Sequence, residues 1–357
     1  MQVRKWIFPV IFSLVLTGCF SGNSNESQAL NDNDYAAILP HESTDTRVKH
    51  ISLIQDFDVR VQVEKGLMDL SKEHFPVNQV AFKTHEFLDY DELDATDGSR
   101  GLLGTLRDDN PNGLNPSNNE KFDTGNGVTQ GGVILVDIYE LDWYRHDKLD
   151  GISLGLVVND QIEQDGKVYP IKDDKMKGYI EVTCSKLVNY MRERFNEVNK
   201  NIPIYMGVYE LNHDPLENSN GGYVYEGYFT GNQHTYNELN ENYVILPSVT
   251  FTTLDGEMAD EFNKFKEKIV NVLPDSTYVV GEAKFENDVV KDLQLTVTTH
   301  GKMVGEILSA TQTVKEELDL FENTDVDYRI QVINNGDVFA MMHREAGSKH
   351  CDIITSI

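Results

Sequence analysis

Cysteine and positive charge are scarce in this sequence. Its 357 residues contain three cysteines, and 31 Lys and Arg stand against 59 Asp and Glu, which gives a formal net charge of −28. A chain this acidic is repelled by nucleic-acid phosphates and gains nothing from an anionic membrane surface. We therefore expect no nucleic-acid partner. The sequence also lacks Cys-x-x-Cys and His-x-x-x-His pairs, and we predict no metal site and no cofactor.

The three cysteines have different surroundings. Cys19 ends the apolar N-terminal segment, Cys184 lies on the apolar stripe of a predicted helix, and Cys351 lies in the C-terminal tail with His343 and His350 nearby. A disulfide between Cys184 and Cys351 is one interpretation. A buried, unpaired Cys184 that acts as a small hydrophobe is the other.

Long apolar runs are absent after the N-terminus. Arg4 and Lys5 precede an apolar run from 6 to 16 that Pro9 interrupts. A membrane-spanning helix needs about 20 apolar residues, so this run is too short. Cations, a short apolar run and small residues in that order are typical of a secretory signal peptide, here residues 1–18. An uncleaved membrane anchor is the alternative.

Leu16-Thr17-Gly18-Cys19 has the form of a lipobox, the signature of bacterial lipoproteins. Lipoprotein-processing enzymes attach a diacylglycerol to the cysteine sulfur and cut just before it, here between Gly18 and Cys19. Each buried CH₂ contributes about 0.8 kcal/mol, so two acyl chains hold a protein where one does not. We expect a protein anchored in the cell membrane through Cys19, with its body on the extracytoplasmic face.

The mature chain is long enough for two domains. Residues 19–48 are rich in Ser, Asn, Asp and Glu, and we expect a flexible tether there. A first domain is expected over 49–235 and a second over 236–357. The first contains the irregular stretch 89–132, and a connection this long tends to be functional or mobile.

Apolar periodicity predicts an α+β fold made of two related units. Each unit reads strand–strand–helix–strand–strand, has a mostly antiparallel sheet, and is preceded by an amphipathic helix. In the first unit the predicted strands are 132–140, 151–159, 202–209 and 222–229, and the helix is 176–200. In the second the strands are 278–285, 293–299, 327–333 and 337–343, and the helix is 304–321. The preceding helices lie around Leu67 and over 258–273.

The sequence Gly151-Ile152-Ser153-Leu154-Gly155 matches the G-x-S-x-G nucleophile elbow. That elbow needs a strand before the serine and a helix after it. Here the residues after Gly155 continue as a strand, which places Ser153 inside it. We expect a non-enzymatic protein, and an envelope serine hydrolase that uses Ser153 is the alternative.

Residues 108–113 resemble the first half of an EF-hand loop, with glycine at the sixth position. The twelfth position, where a calcium loop has glutamate, is Asn119, and Glu120 comes one residue late. A rigid turn built from Asn-Pro and Asn-Gly is one interpretation. A calcium-ordered binding element within 89–132 is the other.

An aromatic strand is predicted at Tyr223–Phe229. Alternation along a strand places Tyr223 and Tyr225 on one face of it. Such faces are usually cross-strand packing and less often a platform for a peptide or glycan.

Several stretches together resemble the CamS sex-pheromone lipoprotein family of Gram-positive bacteria. They are the lipobox at Cys19, the Asn-Pro-Asn-Gly-Leu-Asn-Pro run at 110–116, the run at 151–156, and Ile-Pro-Ile-Tyr-Met-Gly-Val-Tyr at 202–209. The resemblance implies two related repeats. It also implies that the Ser153 and Asp108 stretches are family framework.

The resemblance further implies a role for the discarded signal peptide. In the family, a short apolar peptide from just before the lipobox cysteine is released and acts as a mating pheromone on neighbouring plasmid-bearing cells. Here that peptide is Ile11, Phe12, Ser13, Leu14, Val15, Leu16, Thr17 and Gly18. A pheromone receptor is the implied partner of this peptide. The mature part is expected to be a binding or interaction module of unknown ligand.

Overall fold

The computed structural model describes residues 29–31, 33–41, 43–95, 97 and 99–356. The signal peptide, Cys19 and the predicted pheromone segment lie outside the described residues. The statements below concern the described part of the chain.

Seven α-helices and seventeen strands are present in this part. The helices are α1 Thr46–Leu53, α2 Phe57–Ser71, α3 Tyr90–Leu93, α4 Asp173–Arg194, α5 Val249–Leu254, α6 Gly256–Val272 and α7 Val304–Glu317. The strands up to the middle of the chain are β1 Ala36–Ala37, β2 Ala81–Thr84, β3 Lys121–Asp123, β4 Val128–Gln130, β5 Leu135–Arg145, β6 Lys148–Asn159, β7 Gln161–Gln164, β8 Lys167–Pro170 and β9 Ile204–Leu211. The others are β10 Ser219–Thr230, β11 Gln233–Glu238, β12 Glu241–Leu246, β13 Thr277–Glu286, β14 Val289–Thr299, β15 Asp327–Asn334, β16 Asp337–Arg344 and β17 Asp352–Thr355.

One continuous sheet of 13 strands organises the molecule. Its order is β1-β2-β5-β6-β9-β10-β12-β13-β14-β15-β16-β17, and β11 pairs with β10. Most neighbours are antiparallel, and the parallel pairs are β1 with β2, β6 with β9, and β14 with β15. This confirms the predicted α+β class with a mostly antiparallel sheet.

Two of the parallel pairs have a common cause. Helix α4 connects β6 to β9, and α7 connects β14 to β15. In both cases the helix carries the chain back along the sheet, so the next strand enters beside the first in the same direction. Hairpin signals in the sequence do not indicate this pairing. The order of pairing is the same around both helices: antiparallel, then parallel across the helix, then antiparallel.

Three buried clusters hold the helices on the sheet. The α4-side cluster joins α4 to one face of the first half, for example Leu187 against Leu154. The α2-side cluster packs α2 on the opposite face, through Leu67 and its neighbours. The C-terminal cluster places both α6 and α7 on one face of the second half, around Phe265 and Leu295. The two faces of the first half are therefore both covered by helices.

Regular structure begins at an earlier residue than the sequence predicts. Residues 19–48 are predicted as a tether, yet β1 pairs with β2 and α1 begins at Thr46. Tyr35 is buried, its ring lies 4.1 Å from that of Trp143, and its hydroxyl donates to the Phe75 carbonyl at 2.6 Å. The tether prediction is therefore wrong from Tyr35 onward. A two-residue parallel strand has no periodicity to read, so composition alone suggested a flexible segment.

The aromatic strand β10 contains a bulge. Tyr223 is opposite Tyr209 and Tyr225 is opposite Val208, so Val224 is an extra residue in the ladder. An extra residue reverses which side chains face which side of a sheet. Tyr223 therefore enters the α2-side cluster and Tyr225 the α4-side cluster. The prediction that both tyrosines share one face is wrong.

Candidate functional site

Ser153 is a core residue of β6. It is fully buried, its hydroxyl accepts from the indole N–H of Trp143 at 2.8 Å, and it lies 2.8 Å from the hydroxyl of Ser71 on α2. A Cβ at Gly151 would lie 2.0 Å from the Phe75 ring, so that glycine allows close packing. No substrate reaches this serine, and the structure gives no support to a hydrolase built on it.

The EF-hand-like stretch does not gather ligands. Asp108 and Asp109 are exposed, and Asp109 pairs with Arg107 at 2.8 Å. Asn110 is buried and its amide donates to the Gly101 carbonyl at 2.8 Å, which is the role of a loop clamp. Within residues 29–356 as described, no group of three or more His, Cys, Asp and Glu side chains could hold a metal ion.

Asn115 holds the stretch 89–132 to the sheet. Its amide donates to the carbonyls of Leu103 at 2.8 Å and Leu135 at 2.9 Å, and its oxygen accepts from the N–H groups of Ile134 at 2.8 Å and Leu135 at 2.9 Å. The side chain is almost fully buried. It thus pairs with the start of β5 as a backbone strand would. The Asn-Pro-Asn-Gly-Leu-Asn-Pro run is therefore part of the framework.

A buried chain of imidazoles connects α1 to β5. His50 Nδ1 lies 2.7 Å from Asp137 Oδ2, His50 Nε2 lies 2.9 Å from His85 Nε2, and His85 Nδ1 lies 2.9 Å from the Leu88 carbonyl. Only an N–H can face that carbonyl, so a neutral His85 accepts from His50. His50 Nδ1 and Asp137 then share one proton. Burial lowers the pKa of His85 to about 3, which keeps it neutral.

The imidazole chain is structural in this arrangement. His50 is 7% exposed and its ring stacks on Tyr139 at a centroid distance of 4.2 Å. The chain of hydrogen bonds ends on a backbone carbonyl, and none of its members lines the cavities described below. It holds α1 and the segment after β2 on the sheet.

Two carboxyl groups are buried side by side on β5. Glu140 accepts from the N–H groups of Phe87 at 2.9 Å and Leu88 at 2.6 Å, and Asp142 accepts from that of Glu86 at 3.1 Å. Burial raises the pKa of both groups, and their mutual repulsion adds to the shift of Asp142. The pair anchors the chain that follows β2.

The two cysteines in the described part are not paired. Cys184 is buried in the α4-side cluster and Cys351 is partly buried in the C-terminal cluster, and both are free thiols. Burial raises the pKa of Cys184 to about 12, so its thiol is inert. The disulfide interpretation is wrong, and that of a buried, unpaired Cys184 holds.

A cavity of about 580 Å³ lies beside the C-terminal half of α4. We call it the α4 cavity. The α4–β9 connection and the β10–β11 hairpin form its other walls, and its lining includes Arg192, Lys200 and His234. These three basic side chains come from a helix, a loop and a strand, and His234 is 34 residues beyond Lys200 in the sequence. Sequence reasoning missed them. The available signal was that basic residues are scarce in this chain.

A second cavity, of about 650 Å³, lies where β9, β10 and β12 meet the β7–β8 hairpin. Its lining is acidic and includes Asp160, Glu210 and Glu217. His213 lies with its Nδ1 2.6 Å from Asp160 Oδ1, and this hydrogen bond raises the pKa of the imidazole. Burial raises the pKa of Glu210 to about 7. The lining of this cavity is therefore acidic, whereas that of the α4 cavity includes Arg192 and Lys200.

These features define an α+β protein whose described residues form one continuous 13-stranded sheet with polar cavities beside it. No helix in the described ranges is long and apolar enough to cross a membrane. The model of the family described as CamS sex pheromone cAM373 precursor matches residues 42–350. The chain belongs to this family.

Two solved structures have a similar fold. The sex pheromone precursor from Lactobacillus salivarius subsp. salivarius UCC118 is 22% identical, with a TM-score of 0.79, over 93% of this chain and 98% of that chain. The C-terminal domain of the sex pheromone staph-cAM373 precursor from Staphylococcus aureus is 21% identical, with a TM-score of 0.67, over 83% and 96%. A comparison with curated protein sequences finds no match.

Proposed function

We propose that this protein is a lipoprotein of the cell surface and the precursor of a mating pheromone. Cys19 is lipidated, the chain is then cut behind Gly18, and residues 11–18 are released as the signalling peptide. The observation that supports this most is position: the lipobox at 16–19 lies upstream of a family match that covers 42–350. Lipoprotein-processing enzymes and a pheromone receptor on neighbouring cells are the partners.

The released peptide has the physical properties of such a signal. Its side chains carry no charge, and most of them are apolar. A small apolar peptide of this kind can bury most of its surface in a receptor groove. The diacylglycerol stays on the body and holds it at the extracytoplasmic face of the membrane.

The mature body is a non-enzymatic binding module in this proposal. Ser153, the serine of the alternative hydrolase, is buried under α2. The buried imidazole chain of His50 and His85 ends on the Leu88 carbonyl. The α4 cavity offers a polar, open surface for a ligand.

The body consists of two related repeats in the same proposal. The shared order of strand pairing around α4 and α7 supports a duplication. Helix α2 covers one face of the first repeat, whereas α6 packs beside α7 in the second, so the preceding helices have diverged in position.

Peptide mass spectrometry of culture supernatant tests the processing. Cells that make the protein are compared with cells that make Cys19→Ala, and Cys351→Ala serves as the matched cysteine control. We expect the 11–18 peptide, or a trimmed form, from the wild type and from Cys351→Ala only. Its absence from the wild type, while the body is lipidated at the membrane, would refute pheromone release. An unlipidated wild-type body would refute the anchor.

A further inference from the structure

We propose that the α4 cavity binds an acidic sugar, that is, a sugar ring that carries a carboxylate. The inference rests on the proposed binding role of the mature body. It is carried by three features of the cavity: unneutralised basic side chains, an unpaired guanidinium edge, and a lining of amides and aromatic rings.

The basic side chains of the cavity have neutral partners. Arg192 Nη1 donates to the Gly231 carbonyl at 3.1 Å, and Lys200 Nζ donates to the Asn232 side chain at 3.0 Å. Among the ion pairs of the described residues, none includes Arg192 or Lys200, although Glu193 also lines the cavity. The chain has a net charge of −28, yet the lining of this cavity has these two cations and one carboxylate, that of Glu193. The two cations make the cavity locally attractive to an anion.

Arg192 has an unused binding edge. Its Nε and Nη2 atoms have no hydrogen-bond partner and are shielded from solvent, so a ligand reaches them only when the side chain turns outward into the cavity. Two residues along the helix, Arg194 uses the same two atoms to hold Glu92 Oε1, at 3.1 and 2.8 Å. This edge of a guanidinium pairs with a planar carboxylate through two parallel hydrogen bonds. An unsatisfied buried donor costs about 1–3 kcal/mol, which a carboxylate ligand would recover.

The remaining lining suits a sugar ring better than a peptide. The side chains of Ser185, Asn189, Asn199 and Gln233 offer donors and acceptors that match ring hydroxyls. Phe229 is 5% exposed, and the His234 ring stacks on it at a centroid distance of 5.6 Å. His234 is the exposed ring of this pair, and its imidazole is the ring that can pack on the C–H face of a sugar. The volume of about 580 Å³ is within the usual range of small-ligand sites.

Calorimetry on the full mature lipoprotein in detergent micelles tests this. Galacturonic acid and digalacturonic acid are the probes, and galactose, which has the same ring without the carboxylate, is the matched ligand control. Arg192→Gln and Lys200→Gln remove the cavity's charges. Lys186→Gln removes a charge from an exposed position of the same helix, outside the cavity.

We expect saturable binding of the uronic acids. Galactose should bind with an affinity at least tenfold lower than theirs. Arg192→Gln and Lys200→Gln should each weaken uronate binding about tenfold or more in protein that still unfolds cooperatively, and Lys186→Gln should leave uronate binding intact. Equal binding of galactose, equal loss in Lys186→Gln, or no uronate binding would overturn the proposal. Tighter binding of the dipeptide Ala-Ala would assign the cavity to a peptide instead. Each of these results leaves the processing test unaffected, because that test measures the released peptide.

Discussion

Replacing Asn115 by alanine should detach the stretch 89–132 from the sheet. The wild-type side chain makes four hydrogen bonds of 2.8–2.9 Å to backbone groups of Leu103, Ile134 and Leu135. The variant leaves those four buried groups without partners. Each unsatisfied group costs about 1–3 kcal/mol, and water that enters the vacated space would relieve part of this. We therefore expect a loss of about 3–5 kcal/mol in the free energy of unfolding.

Asn112→Ala is the matched control, because Asn112 belongs to the same run but makes one exposed hydrogen bond, to the Ser99 carbonyl at 3.1 Å. We expect it to cost about 1 kcal/mol or less. Urea denaturation measures both variants, and hydrogen exchange at Ile134 and Leu135 reports the local effect. If Asn115→Ala lies within about 1 kcal/mol of the control, and both amides stay protected, the clamp is not what holds this segment.

Three further substitutions have expected effects on stability. Burial raises the pKa values of Glu140 and Asp142, so their contribution to stability is present at acidic pH and is lost as the pH rises through the raised values. Glu140→Gln should therefore flatten the fall of the melting temperature between mildly acidic and mildly alkaline pH, and an unchanged slope would contradict this. Gly66→Ala should destabilise by about 1–3 kcal/mol, because its Cβ would lie 2.5 Å from the Tyr223 ring. Gly178→Ala, whose Cβ would meet nothing within 4 Å, should instead stabilise its helix by about 0.5–1 kcal/mol, as chemical denaturation would show.

Elements with a strong period could be predicted from the sequence. The helix predicted over 304–321 is observed as α7 Val304–Glu317 followed by a 3₁₀ turn, Leu318–Leu320. The strand predicted over 327–333 is β15 Asp327–Asn334. In such segments apolar residues recur with the period of a helix or of a strand. The local pattern is therefore sufficient to predict the element. β1 is two residues long, and only its pairing with β2 makes it a strand.

The candidate site also depends on contacts between residues that are distant in the sequence. The match at Ser153 is a local pattern, and its burial between Trp143 and Ser71 depends on residues far away along the chain. Arg192 and His234 have no shared motif, and they meet because a hairpin folds against α4. Local pattern therefore offered Ser153 only as an alternative and gave no indication of the basic cavity.

By itself, the sequence determined the acidic charge, the Leu-Thr-Gly-Cys motif at 16–19 after a short apolar run, and the type of most helices and strands. These properties depend on composition or on neighbours within a few residues. The tertiary structure alone decided the continuous sheet, the parallel pairing across α4 and α7, the bulge at Val224 and the basic lining of the α4 cavity. Each of these depends on contacts between distant segments, which form only when the apolar faces of those segments are buried together.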